Sequence, residues 1–134
     1  MNRINYIKTY TKKIIINGSV VINMNLKEYL DNILLDQLTT YEGRKNAIKK
    51  RYAIYKLTPI YVNNMLMLFP INNLKDYENI YINVYNIKSL GKIKKQTMIE
   101  FIDNTKILIN KNTKIIDNYI KRIISINHNS WFFW

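Results

Sequence analysis

A chain of 134 residues with 48% hydrophobic and 13% aromatic content is long enough to bury a core of its own and too apolar for the disordered class. Twenty-one basic residues face nine acidic ones, a formal net charge of +12, and that excess favours a polyanion as partner, nucleic acid before an anionic membrane surface. Cysteine is absent, which removes disulfides and thiolate metal sites. No window reaches the roughly 20 apolar residues of a membrane helix or has the form of a secretory signal, so a reducing cytoplasm is expected.

Part of the lysine is compositional. The chain is crowded with Ile, Asn, Lys and Tyr, whose codons are rich in A and T. Codons for Asp and Glu suffer little from the same bias, so it explains abundant lysine but not the scarcity of acids.

In chain order, RINYIKTYTKK comes first and places Arg3, Lys8, Lys12 and Lys13 either on a basic arm reaching a neighbouring groove or on an edge strand guarded by lysine. Lys13 to Ile16 and Val20 to Asn23 are β-branched runs around Asn17-Gly18, the strongest short signal for a type I′ hairpin turn. In NLKEYLDNILLDQL, Asn25 can cap and Glu28 sits three residues on, as in a capping box. Leu26, Leu30, Ile33, Leu34 and Leu38 recur at helical spacing, which predicts a helix over Leu26 to Gln37. Its Glu28, Asp31 and Asp36 leave it acidic.

The stretch TTYEGRKNAIKKRYAIYKLTP follows. After Glu42 it sets Arg44, Lys45, Lys49, Lys50, Arg51 and Lys56 with no carboxylate before Asp76. Gly43 is expected to turn the backbone sharply after the first helix, and Tyr52 to Leu57 reads as a strand ahead of Pro59. PIYVNNMLMLFP reads as a second hairpin, turning at Asn63-Asn64. NIYINVYNI alternates, with Ile80, Ile82 and Val84 on one face and Tyr81, Asn83 and Tyr85 on the other, as in a half-buried strand.

KSLGKIKKQ gathers Lys88, Lys92, Lys94 and Lys95 around Gly91 in an expected turn. TMIEFIDNTKILIN is a third hairpin turning near Asp103 to Thr105. After Thr113 the stripe Ile115, Ile116, Tyr119, Ile120, Ile123 and Ile124 predicts an amphipathic helix on the sheet. The order argues a single α+β domain over residues 1–134. An antiparallel sheet built from hairpins carries one helix in the N-terminal third and one C-terminal helix.

Enzymatic signals are poor. The one histidine, His128, has no cysteine or acidic cluster around it, and a surface or tail-packing role suits it better than catalysis. Three glycines, Gly18, Gly43 and Gly91, cannot spell a phosphate-binding loop or a dinucleotide fingerprint. Asp76 and Glu78 read as solvated carboxylates in a turn. No catalytic residue, metal or cofactor is expected.

Y-x-G-R-K (Tyr41, Gly43, Arg44, Lys45), the P-I of Pro59-Ile60, the L-F-P of Leu68 to Pro70 and the strand IYINVYNI resemble the ComK family of competence transcription factors. The preceding INGSVVIN and the closing hairpin and helix with Tyr119 and Arg122 fit the same order, so the resemblance runs from about Ile14 to Ile126. It implies a bacterial DNA-binding activator that recognises AT-rich boxes chiefly through the minor groove, acts as a homo-oligomer and works with RNA polymerase. The chain departs from the pattern in a shorter connection between first hairpin and helix. It also ends in NHNSWFFW, where relatives carry an extended tail that hands them to an adaptor and protease. The resemblance thus supports DNA binding better than regulated proteolysis.

On that reading Arg44 and Lys45 project into DNA, where an arginine gains from the negative potential of a narrow AT minor groove, with Asn46 at base edges. Lys49, Lys50 and Arg51 hold flanking phosphates, and Lys92, Lys94 and Lys95 make a second phosphate contact. The bland alternatives are a solvated loop swollen by codon usage and a plain solvated hairpin. Trp131 to Trp134 are expected to dock on the domain or at an oligomer interface, with base stacking the other choice. Two rival functions use the same residues differently. An RNA- or single-strand-binding module would stack bases on Tyr81 and Tyr85, and a protein-binding regulator pairing with a full-length relative would need no basic groove.

Overall fold

The computed structural model describes residues 3–72 and 78–130, the side chains of 126–130 excepted. The chain forms two compact units, one ending at Tyr85 and the next beginning at Asn86.

The first unit is built on six antiparallel strands: β1 (Tyr6–Thr9), β2 (Ile14–Ile16), β3 (Val20–Ile22), β4 (Ile60–Asn63), β5 (Leu66–Pro70) and β6 (Asn79–Asn83), in the order β3-β2-β1-β6-β5-β4. The Asn17-Gly18 turn forms as predicted. Both residues are left-handed (φ 54 and 77), and the Ser19 N–H donates to the Ile16 carbonyl at 3.1 Å. A Cβ on Gly18 would also stand 2.8 Å from the Tyr6 hydroxyl, so conformation and space both require glycine.

The N-terminal segment is neither basic arm nor edge strand: β1 is central, pairing with both β2 and β6. Long-range bonds hold it there. The Asn17 side-chain carbonyl accepts from the N–H groups of Asn5 (2.7 Å) and Tyr6 (3.2 Å), and its amide donates to the Arg3 carbonyl (2.7 Å).

The predicted first helix is α1 (Leu26–Leu34) with a 3-10 turn, Leu35–Gln37, continuing it. The Asn25 side chain accepts from the Glu28 N–H at 2.9 Å and donates back to the Glu28 carboxylate at 3.1 Å, the reciprocal cap read from the sequence. Leu26, Leu30 and Leu34 are buried among Ile7, Ile16, Val62, Leu68 and Tyr81. Each such leucine contributes about 1.5–3 kcal/mol of burial.

A second helix, α2 (Tyr41–Tyr52), occupies the basic stretch, so Gly43 lies in a helical first turn instead of a sharp bend. Tyr52 to Leu57 is not a strand. Tyr52 ends α2, Ala53 closes it in the left-handed region (φ 55) with its N–H on the Lys49 carbonyl, and irregular chain runs to Pro59. Apolar periodicity could not announce this helix, because only Tyr41 and Ile48 are buried along it.

The second hairpin turns one residue later than predicted, at Asn64-Met65, with Asn63 paired to Leu66. Neither Asn63 nor Asn64 is left-handed. The Asn63 side chain instead accepts from the Met65 N–H at 2.9 Å, and the register shifts between Tyr61 and Asn63.

β6 differs from the half-buried strand expected of its alternation. It lies between β1 and β5, and Tyr81 (5% exposed) and Asn83 (1%) are as buried as Ile82. The strand ends at Asn83, and Val84 and Tyr85 belong to a 3-10 turn, Val84–Asn86.

The second unit has β7 (Ile87–Ile93), β8 (Gln96–Phe101) and β9 (Lys106–Ile109) in that order, antiparallel, with α3 (Thr113–Ser130) packed on β7 and β8. The hairpin at Asp103 to Thr105 is as predicted, the Asp103 carboxylate accepting from the Thr105 N–H (3.1 Å) and hydroxyl (2.6 Å). Gly91 lies within β7, and Lys94-Lys95 make the turn. Along α3, Ile116, Ile120 and Ile123 are buried while Ile115 and Ile124 are exposed, a narrower stripe than the sequence suggested. Buried Thr97 donates its hydroxyl to the Lys111 carbonyl at 2.7 Å and stands 3.1 Å from the Thr113 hydroxyl, tying β8 to the start of α3. The residues Asp76 and Trp131 to Trp134 and the side chain of His128 lie outside the described residues.

Candidate nucleic-acid interface

The basic helix α2 is fixed first at its N-terminus. The Thr40 hydroxyl accepts from the Gly43 N–H at 3.0 Å, and the Asp31 carboxylate of α1 accepts from the Tyr41 N–H at 2.7 Å. A Cβ on Gly43 would stand 3.1 Å from the Thr39 hydroxyl, so the cap is close-fitting. Asp31 and Glu42 favour the positive end of the helix dipole, and Lys49, Lys50 and Arg51 in the last turn favour its negative end. That complement is worth about 0.3–1 kcal/mol per charge, which gives the terminal cations a structural role as well.

The structure divides the expected contact residues between two sides of α2. Arg44 and Lys45 are half-buried. The Arg44 guanidinium lies over the Tyr61 ring at 5.2 Å, its Nη2 donates to the Gln37 side-chain oxygen at 2.7 Å, and its Nε is buried without a hydrogen-bond partner. The Lys45 ammonium stands 5.7 Å from the Tyr41 ring. Burial, and then Lys49 one turn on, hold its pKa below the ordinary lysine value, with Glu42 opposing.

Beneath these cations is a layer of phenols. Burial raises the Tyr41 hydroxyl above its ordinary pKa in spite of a hydrogen bond shared with Tyr81. Burial drives Tyr85 higher still, and Tyr61 adds to it. The floor of the helix is therefore uncharged at neutral pH.

The other side of α2 is accessible. Asn46, Lys50 and Arg51 are exposed and Lys49 is half-buried, with Asn46 and Lys50 one turn apart on the same face. Past Glu42 no carboxylate interrupts the helix. In the second unit Lys92, Lys94 and Lys95 are exposed at the tip of the β7–β8 hairpin.

Gln37 and Tyr61, which hold Arg44, escaped sequence reasoning, since nothing in their type or spacing marks them as its partners. Among the described residues no group of three or more His, Asp or Glu stands ready to hold a metal ion, and no helix is long and apolar enough to cross a membrane.

Among known families the chain falls in a class of transcription factors. The family model described as ComK protein matches residues 3–130, and the chain belongs to the ComK family, the competence transcription factors. No curated protein and no solved structure matches it.

Proposed function

We propose that the protein regulates transcription by binding AT-rich duplex DNA through the accessible side of α2, as a homo-oligomer in the bacterial cytoplasm. The observation that carries this reading is the placement of Asn46, Lys50 and Arg51, with Lys49, on one capped helix free of carboxylates after Glu42. Membership of the ComK family supports it. Lys49 and Lys50 serve as phosphate contacts, which position without specifying, and Lys92, Lys94 and Lys95 as a second such contact. Arg44 and Lys45 act from the inner side, holding α2 to Tyr61 and Tyr41.

An α-helix about 10–12 Å across does not enter a minor groove about 6 Å wide. Side chains must therefore do the reading while α2 lies across the strands. Arg51 suits that task, being planar and weakly hydrated, and Asn46 can both donate and accept at base edges. Selective complexes bury on the order of 1,000 Å² or more of protein, which a single short helix does not supply, so two or more copies on paired AT boxes complete the footprint. An activator of this kind also meets RNA polymerase.

The helical form of the basic stretch favours one second reading, entry into the major groove, which is about 12 Å wide and admits a helix. Stacking of single strands on β6 has little support, because Tyr81 is 5% exposed. Fluorescence anisotropy in competition separates these readings. AT-rich duplex should displace a labelled AT box more effectively than GC-rich duplex or single strands, and a distamycin-type minor-groove ligand should compete. Failure of that ligand to compete moves the contact to the major groove, and equal affinity for single strands defeats the duplex reading.

A further inference from the structure

Just after α2 the chain makes a small loop tied at its neck. Ala53 (φ 55) and Leu57 (φ 50) are both left-handed, a region that residues with a Cβ disfavour. Ile54 and Thr58 are each 2% exposed, and the Thr58 hydroxyl donates to the Ile54 carbonyl at 2.9 Å. With both ends buried and joined, the residues between them are pushed outward. Tyr55 is 70% exposed and Lys56 is exposed beside it.

Codon usage supplies tyrosines throughout this chain, yet the fold tucks them in. Among the described tyrosines Tyr55 alone is exposed, whereas Tyr41, Tyr61, Tyr81 and Tyr85 are buried or half-buried around α2. The ring stands in a stretch with Lys49, Lys50 and Arg51 before it and Lys56 after it, and no carboxylate in between. Cations on both sides can grip phosphates while a planar apolar ring is pressed into a groove. Side chains that wedge into the minor groove unstack a base step and kink the duplex, and the cost is least at flexible pyrimidine–purine steps such as TA.

Building on the DNA contact proposed for α2, we infer that Tyr55 is an aromatic wedge that enters the minor groove beside Arg51 and Lys56 and opens a base step of the AT-rich duplex. It gives selectivity for deformable TA steps without any hydrogen bond to a base. Lys56 joins the phosphate contacts.

The test uses the full chain and an AT-rich duplex with 2-aminopurine beside a central TA step and a fluorophore pair at its ends. Binding of the parent should raise 2-aminopurine fluorescence and shorten the end-to-end distance. Tyr55→Ala should abolish both responses, lose the preference for a TA step over a rigid A-tract, and weaken binding about tenfold, about 1.4 kcal/mol. Its salt dependence should stay unchanged, since no charge is removed. Tyr55→Phe should behave as the parent, which also shows that the loop still folds. If Tyr55→Ala binds and unstacks as the parent does, Tyr55 is a bystander and the wedge is wrong, while the DNA contact of α2 stands. A Tyr55→Phe variant that fails alongside alanine assigns the effect to the hydroxyl and also overturns the wedge. Loss by Tyr55→Ala of single-strand affinity alone makes the ring a stacking platform and overturns it too. A parent that binds no duplex overturns the α2 reading and takes the wedge with it.

Discussion

Replacing Asn83 with leucine should destabilise the protein by roughly 3–5 kcal/mol, a large part of the 5–15 kcal/mol of an ordinary domain. Asn83 is 1% exposed, at the end of central strand β6. Its amide nitrogen donates to the carbonyls of Ile4 (2.8 Å) and Met65 (3.0 Å), and its oxygen accepts from the N–H groups of Met67 (3.1 Å) and Tyr85 (3.3 Å). One side chain thus satisfies backbone groups ahead of β1, in the turn between β4 and β5, and after β6. Leucine fills a similar volume but leaves these groups unpaired, at about 1–3 kcal/mol for each that water does not reach. Asn83→Asp keeps the acceptors and sets a carboxylate against two carbonyls. It should therefore be nearly as damaged at neutral pH and regain stability as the pH falls, because a protonated carboxyl can donate to one of those carbonyls. Urea unfolding of the variants checks both results. A loss below about 1 kcal/mol for Asn83→Leu would mean that β6 is not organised around this residue.

The second large effect is on binding. Lys49→Ala, Lys50→Ala and Arg51→Ala combined should weaken AT-box binding roughly 10²-fold at physiological salt and lower the slope of log affinity against log salt by about three units. The same substitutions remove cations from the negative end of α2, so a stability loss of about 1–2 kcal/mol is expected beside the binding loss. Arg44→Lys makes the contrast. It keeps the charge but loses the planar fork held by Gln37 and Tyr61, and it should cost about 1 kcal/mol of stability with the salt slope unchanged. Anisotropy titrations over a range of salt concentrations, with melting curves alongside, separate the two. A triple variant whose slope equals that of the parent would make the α2 cations helix-dipole partners only.

Local signals explain what the sequence made legible. The reciprocal cap of Asn25 and Glu28, the left-handed pair Asn17-Gly18 and the turn at Asp103 to Thr105 are each decided within a few residues, and the structure contains all three. Elements whose partners are distant were hidden. β1 owes its central place to β6 and to the side chain of Asn17, neither of which a local pattern can show. β6 alternates like a surface strand, yet it is enclosed between β1 and β5 with both of its faces buried at Tyr81 and Ile82. α2 has only Tyr41 and Ile48 as apolar anchors and a glycine in its first turn, which together suppress the helical pattern.

For the candidate site, the sequence identified the cations but not their directions. Arg44 and Lys45 turn inward because Gln37, Tyr61 and Tyr41 receive them, and that leaves Asn46, Lys50 and Arg51 as the accessible set. Tyr55 passed unnoticed among many tyrosines, since only the tied loop sets it apart.

The central claim is that duplex DNA lies on the accessible side of α2, and site-specific photo-crosslinking tests it most directly. A photoreactive side chain placed at Asn46 in one protein, at Lys50 in a second and at Lys27 on α1 in a third reports which surface meets an AT-box duplex. Strong crosslinks from positions 46 and 50, suppressed by unlabelled AT-rich duplex and not by GC-rich duplex, with little from position 27, are the result expected. Crosslinks from position 27 that equal or exceed those from positions 46 and 50 would contradict the account and place DNA elsewhere on the protein.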